Sequence, residues 1–140
     1  MDSITLTTLV SGLSDHNIDV CINAAERLHK EAGIEDIPAL LDLIHNDDAF
    51  VREAAAWPIA ELAGARFLGE LLTAYQRGFD EGHDNDGFTA ALLEIPALHP
   101  RITRAALEQL LQIVSEPIRG HVHWLLEFCP EAQLDGESTH

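Results

Sequence analysis

Apolar residues return along this chain every three to four positions, the period of a helix that buries one face. Val51, Ala55, Ile59 and Leu62 fall at i, i+4, i+8 and i+11 and make one continuous stripe. Asp48 stands where an N-cap belongs, and Gly64 stands where a helix can end in the left-handed conformation. Further helices are expected over residues 4–13, 37–44, 67–75 and 102–114, on the spacing of Leu40, Leu41 and Ile44, of Leu68, Leu71, Leu72 and Tyr75, and of Leu107, Leu110, Leu111 and Val114. Leu and Ala far outnumber Val and Thr, which tilts the chain further toward helix.

The helical pattern repeats. Moved back by 31 positions, Val51, Ala55, Ala56, Ile59, Ala63 and Gly64 meet Val20, Ala24, Ala25, Leu28, Ala32 and Gly33. Moved forward by 67, Val51, Arg52, Trp57 and Ile59 meet Ile118, Arg119, Trp124 and Leu126. A weaker copy at a shift of 36 places Gly87 at the valine position, with Ile95 and Leu98 matching Ile59 and Leu62. Helices therefore alternate in about four hairpins, with units near residues 4–33, 34–64, 65–99 and 100–132, followed by a polar tail at 133–140. One such hairpin cannot hide its apolar face, whereas stacked hairpins share a core.

The run Asp48-x-x-Val51-Arg52-x-x-Ala55-Ala56, followed by Ile59-x-x-Leu62-x-Gly64, resembles the HEAT and HEAT-like repeats of bacterial proteins. The fourth unit keeps Ile118 and Arg119 but has Ser115 at the aspartate position; the first has Asn17 and Cys21; the third has neither residue. The resemblance implies an all-α fold, an α-solenoid of about four antiparallel helix pairs in a single domain over residues 1–132. It implies structural roles for Asp48, Arg52 and Arg119, because the family's Asp and Arg tie one repeat to the next. Most such scaffolds bind other macromolecules, so the fold leaves function open.

Charge narrows the choice. Asp plus Glu number 24 against 8 Lys plus Arg, a formal net charge of -16. Each phosphate contact needs a cation, so direct binding of nucleic acid or of an anionic membrane is not expected. DNA-glycosylase chemistry, which similar scaffolds perform on a basic face, is disfavoured for the same reason. No apolar run reaches the length of a membrane span, and Met1-Asp2-Ser3 does not read as a signal peptide, so a cytoplasmic protein is expected. Cys21 and Cys129 read as buried or idle thiols in a reducing compartment.

Candidate chemistry is sparse. His121 and His123 lie two apart, about 200° round a helix, and cannot share one ion. The run from Asp80 to Gly87 falls short of a calcium loop, because Gly82 and Leu93 would occupy ligand positions. No phosphate-binding glycine loop or nucleophile elbow is present. No catalytic residue, metal or cofactor is assigned. Pro58 and Pro96 interrupt helical runs, either as tolerated bends or as devices that shape the concave face.

The candidate surface lies on the other side of the second helix in each hairpin, which lines the concave side in the resembled fold. With Val51, Ala55 and Ile59 inward, Phe50, Glu53, Trp57 and Glu61 form a second stripe. Glu26 is the counterpart of Trp57 in the first unit, and Trp124 is its counterpart in the fourth. Aromatic residues amid acids are an interface-like pattern; the alternative is that both tryptophans pack between helices. The extra residues of unit three fall around an acidic loop with Asp80, Asp84 and Asp86, which is either simply solvated or partner-binding. The expected function is a non-enzymatic, acidic protein-binding module, monomeric, with a basic protein partner. That partner is a toxin neutralised by an immunity protein, or an assembly component held by an adaptor. A HEAT-like enzyme, similar to the phycobilin lyases, is the remaining alternative.

Overall fold

The computed structural model describes residues 1–130; the predicted tail at 133–140 lies outside them. Among the described residues every regular element is helical and no strand occurs. Eight α-helices follow one another: α1 (Ser3–Leu13), α2 (Ile18–Glu31), α3 (Ile37–Leu43), α4 (Ala49–Ala63), α5 (Leu68–Asp80), α6 (Asp86–Leu98), α7 (Pro100–Leu110) and α8 (Ile118–Leu126). Short 3₁₀ turns at Ile34–Asp36 and Gly64–Phe67 lead into α3 and α5.

Local chemistry explains several of the helix ends. The side chains of Asp2, Asn17 and Asp48 accept backbone N–H bonds from Thr5, Asp19 and Phe50, at 2.7, 2.9 and 2.9 Å, and so satisfy donors that a helix start leaves orphaned. Pro38 and Pro100 sit in the first turns of α3 and α7, where a missing N–H costs nothing. Gly64 closes α4 at φ 58° and ψ -128°, which is not the left-handed helical region expected from the sequence. It is a conformation open to glycine alone, and a Cβ there would lie 3.0 Å from the His99 ring.

The core runs along α4. Val51, Ala55 and Ile59 are all within 1% of complete burial, as the stripe requires, while Leu62 is half-buried at the end. Ala54, Ala56 and Ala60 are buried too, because α4 is covered on several sides: α2, α3 and α6 all pack on it. Small alanines let these neighbours approach. The helices α2, α4 and α6 thus pack in succession. The helix α8 takes a different place from the one its sequence register suggests, since its main contacts are with α7 and α5. Val20, the anchor of the first unit, is 40% exposed, so α2 buries only Ala24 and Leu28.

Candidate binding groove

The inward phase of α4 turns Phe50, Glu53 and Trp57 toward α2, and there they line a groove with Glu26 and His29, floored by Ala25 and Ala54. The groove has a volume of about 260 Å³. Phe50 and Trp57 are half-buried and rest on the core, so they project from it less freely than fully exposed positions would. The His29 ring lies 5.5 Å from that of Trp57, tilted by 39°, and its Nε2 lies 2.8 Å from Glu61 Oε1. Glu26 is exposed on α2.

Two further depressions meet this groove at Phe50. One, of about 380 Å³, runs past Glu53 toward His83, Asp84 and Asn85. The other, also about 380 Å³, is lined by Ile18, Cys21, Ile22, His16 and Asp48. Ile18 and Ile22 are 70% and 44% exposed, an unusual surface for isoleucine side by side on one helix face.

Glu53 faces two ways. Its carboxylate accepts the Phe88 N–H in the first turn of α6 and lies so close over Gly87 that a Cβ there would come within 2.4 Å of it. A side chain at position 87 would make this carboxylate shift from its place at the helix start, where the dipole favours negative charge. Burial, and then the charges of Asp84 and Asp86, nevertheless hold Glu53 above the ordinary carboxylate range. Glu61 on α4 meets Glu94 on α6, and burial together with a hydrogen bond to Glu61 raises Glu94 as well. One oxygen of Glu94, Oε1, is buried without a hydrogen-bond partner. His29, Glu61 and Glu94 form a polar line across α2, α4 and α6.

The acidic loop is held to the body at Glu81 and Asn85. Glu81 Oε1 lies 2.5 Å from the guanidinium of Arg52, and Glu81 Oε2 accepts from Arg77 at 2.9 Å. These two contacts, Arg52 first, keep the Glu81 carboxyl below its usual range. Asn85 takes φ 60° and is buried; its Nδ2 donates to the Tyr75 carbonyl at 2.7 Å. Asp84 and Asp86 remain exposed, and Asp80 accepts from Gln76 Nε2 at 2.7 Å.

The residues expected to be structural divide their work. Asp48 caps α4 with its side chain and accepts the Arg52 backbone N–H at its carbonyl, 3.1 Å away, whereas the Arg52 guanidinium turns to other acceptors. Arg52 is almost wholly buried and donates to the carbonyls of Asn46 and Asp47 at 2.9 and 3.2 Å, as well as to Glu81 at the end of α5. Arg119 is half-buried and donates to the Leu111 carbonyl.

Trp124 does not share the Trp57 surroundings. Its ring stacks on Tyr75 of α5, with centroids 5.9 Å apart and planes 16° from parallel. Tyr75 also meets Phe79, Phe88 and His121, and its hydroxyl lies 2.7 Å from Thr89 Oγ1. This aromatic cluster joins α5, α6 and α8; repeat spacing alone pointed to a concave position for Trp124 and missed it. Burial lowers the His121 pKa, and its Nε2–H donates to Gln76 Oε1 at 2.6 Å.

Cys21 and Cys129 are both free thiols, Cys129 buried. Among the described residues no group of three or more His, Cys, Asp or Glu is placed to hold a metal ion. None of the described helices is long and apolar enough to cross a membrane. Compared with known protein families, with curated proteins and with solved structures, the chain matches none.

Proposed function

We propose that this chain is a short α-solenoid of HEAT-like helix pairs that acts as a non-enzymatic docking module for a basic protein. The successive packing of α2, α4 and α6 supports the solenoid reading, with α8 and its aromatic contacts to α5 forming an irregular end. One observation carries the docking reading: three depressions converge on Phe50, with aromatic and isoleucine surface at their centre and carboxylates around them. Apolar surface supplies desolvated contact area, and the acids steer a cationic partner and raise its on-rate. The net charge of -16 acts in the same direction at longer range.

A cationic toxin, such as a nuclease, fits this surface, and the module then serves as its immunity protein in the cytoplasm. An assembly component with a basic face fits it equally, and the partner's own activity separates the two. Wild-type protein and a Trp57→Ala variant are used as baits in the native extract, with thermal unfolding of both baits as the folding control. The expected capture is a basic protein whose binding falls about thirtyfold or more in Trp57→Ala. Growth arrest by the captured protein alone, relieved by co-expression, identifies a toxin. Binding untouched by Trp57→Ala in a folded bait refutes this groove as the docking surface.

A further inference from the structure

The groove between α2 and α4 has a chemistry narrower than general acidity. Trp57 and Phe50 give it aromatic walls, and Glu26 and Glu53 stand on its two helices. No Lys or Arg lines it, so positive charge has to come from outside. His29 is the one lining residue that can carry positive charge, and its Nε2 is directed at Glu61 rather than at the groove carboxylates. A volume of about 260 Å³ suits a single long side chain, not a helix.

An aromatic wall beside carboxylates discriminates between cations. A guanidinium is planar and weakly hydrated; it stacks on indole and offers parallel donors to a carboxylate. An ammonium is a compact, strongly hydrated point charge that gains less from the same walls. We propose that the groove between α2 and α4 is a pocket for an arginine side chain presented by a partner protein, its guanidinium stacked on Trp57 and paired with Glu26. The pocket rests on the docking function proposed above and names the feature of the partner it reads. Glu53, already bonded to α6, adds field rather than a second fork. The exposed Ile18 and Ile22 beyond Phe50 extend the contact to residues flanking the arginine.

The test uses capped hexa-arginine and hexa-lysine peptides, titrated against the full chain at physiological salt with tryptophan emission as the readout. Hexa-arginine should bind at least about tenfold more tightly than hexa-lysine, the ratio that stacking and forked pairing together support. Its emission change should vanish in Trp57→Phe, a substitution that keeps the wall apolar and the fold intact. Glu26→Gln, an exposed and therefore structurally mild change, should weaken hexa-arginine about tenfold, whereas Glu70→Gln on exposed α5 surface should not. Equal affinity for the two peptides, with an emission change that persists in Trp57→Phe, overturns the arginine pocket and leaves a general acidic docking surface. Failure of both peptides to bind overturns the pocket and the basic-partner reading together.

Discussion

Replacing Arg52 by Met isolates what one buried guanidinium contributes to this fold. The side chain is almost wholly buried and donates to two backbone carbonyls and to Glu81. Hydrogen bonds from a charged donor are each worth about 1.5–3 kcal/mol. The sum is reduced because Asp47 is exposed and Asn46 only half-buried, so water replaces part of what their carbonyls lose. Glu81 keeps Arg77 as a partner and is not left unpaired. Met fills most of the volume of the arginine stem, which spares a cavity cost. Relief of the desolvated charge offsets some of the remainder, leaving a loss of about 3 kcal/mol, the low end for breaking a buried pair. At about 3–4 °C per kcal/mol for a chain of this size, Tm should fall by about 10 °C. Urea unfolding followed by helical circular dichroism measures the loss directly, with an unchanged m-value showing that the same surface is exposed. Arg52→Lys should recover only part of it, because an ammonium cannot span all three acceptors. Arg119→Met, from the matching position in the fourth unit, should cost about 1 kcal/mol, since Arg119 is half-buried with a single carbonyl acceptor. A loss below about 1 kcal/mol for Arg52→Met would refute the reasoning: the bonds would then do no more than balance desolvation.

Ile59 is completely buried, so Ile59→Ala should cost about 2–5 kcal/mol in urea unfolding; a change under about 0.5 kcal/mol contradicts the helical phase of α4. Gly64→Ala should cost more than about 1 kcal/mol, because φ 58° strains an alanine whose Cβ also presses on His99; an unchanged Tm would show that the backbone relaxes at no cost. Glu53 has its folded-state pKa raised by burial and by Asp84 and Asp86, so its contribution to stability is present below the unfolded pKa of about 4.3 and is lost as pH rises through the folded value. Glu53→Gln should therefore raise Tm at neutral pH, by a margin that shrinks as the solution is acidified through the carboxylate range; a pH-independent offset refutes this.

Much of α4 was legible in the sequence, and physical reasons separate it from what was not. The phase of Val51, Ala55 and Ile59 follows from helix geometry alone, and the cap at Asp48 follows from two neighbouring residues. Phe50, Glu53, Trp57 and Glu26 share one groove because α2 and α4 pack side by side, as the repeat register suggested. Register failed for Trp124. A repeat position states which face of α8 is apolar, but the neighbour of that face is decided by packing, and Tyr75 on α5 offers the larger aromatic surface. Val20 failed for a related reason: an anchor is buried only where another helix covers it, and the contacts of α2 with α1 and α4 leave Val20 40% exposed. The line of His29, Glu61 and Glu94 was invisible, since three helices far apart in the chain must stack before its members meet. Likewise, nothing local in the chain announces that Gly87 makes room for Glu53.

The loop between α5 and α6 is arranged so that Glu81 and Asn85 hold it to the body while Asp84 and Asp86 face outward. Gly78 belongs to the same arrangement: a Cβ there would stand 2.2 Å from Asn85 Oδ1, so the buried amide seats only against a bare backbone. A segment that is ordered before it meets anything has little conformational freedom left to surrender on association. The attraction of its two exposed carboxylates for a cation then goes into affinity, where a floppy tail of equal charge would spend much of it on becoming still.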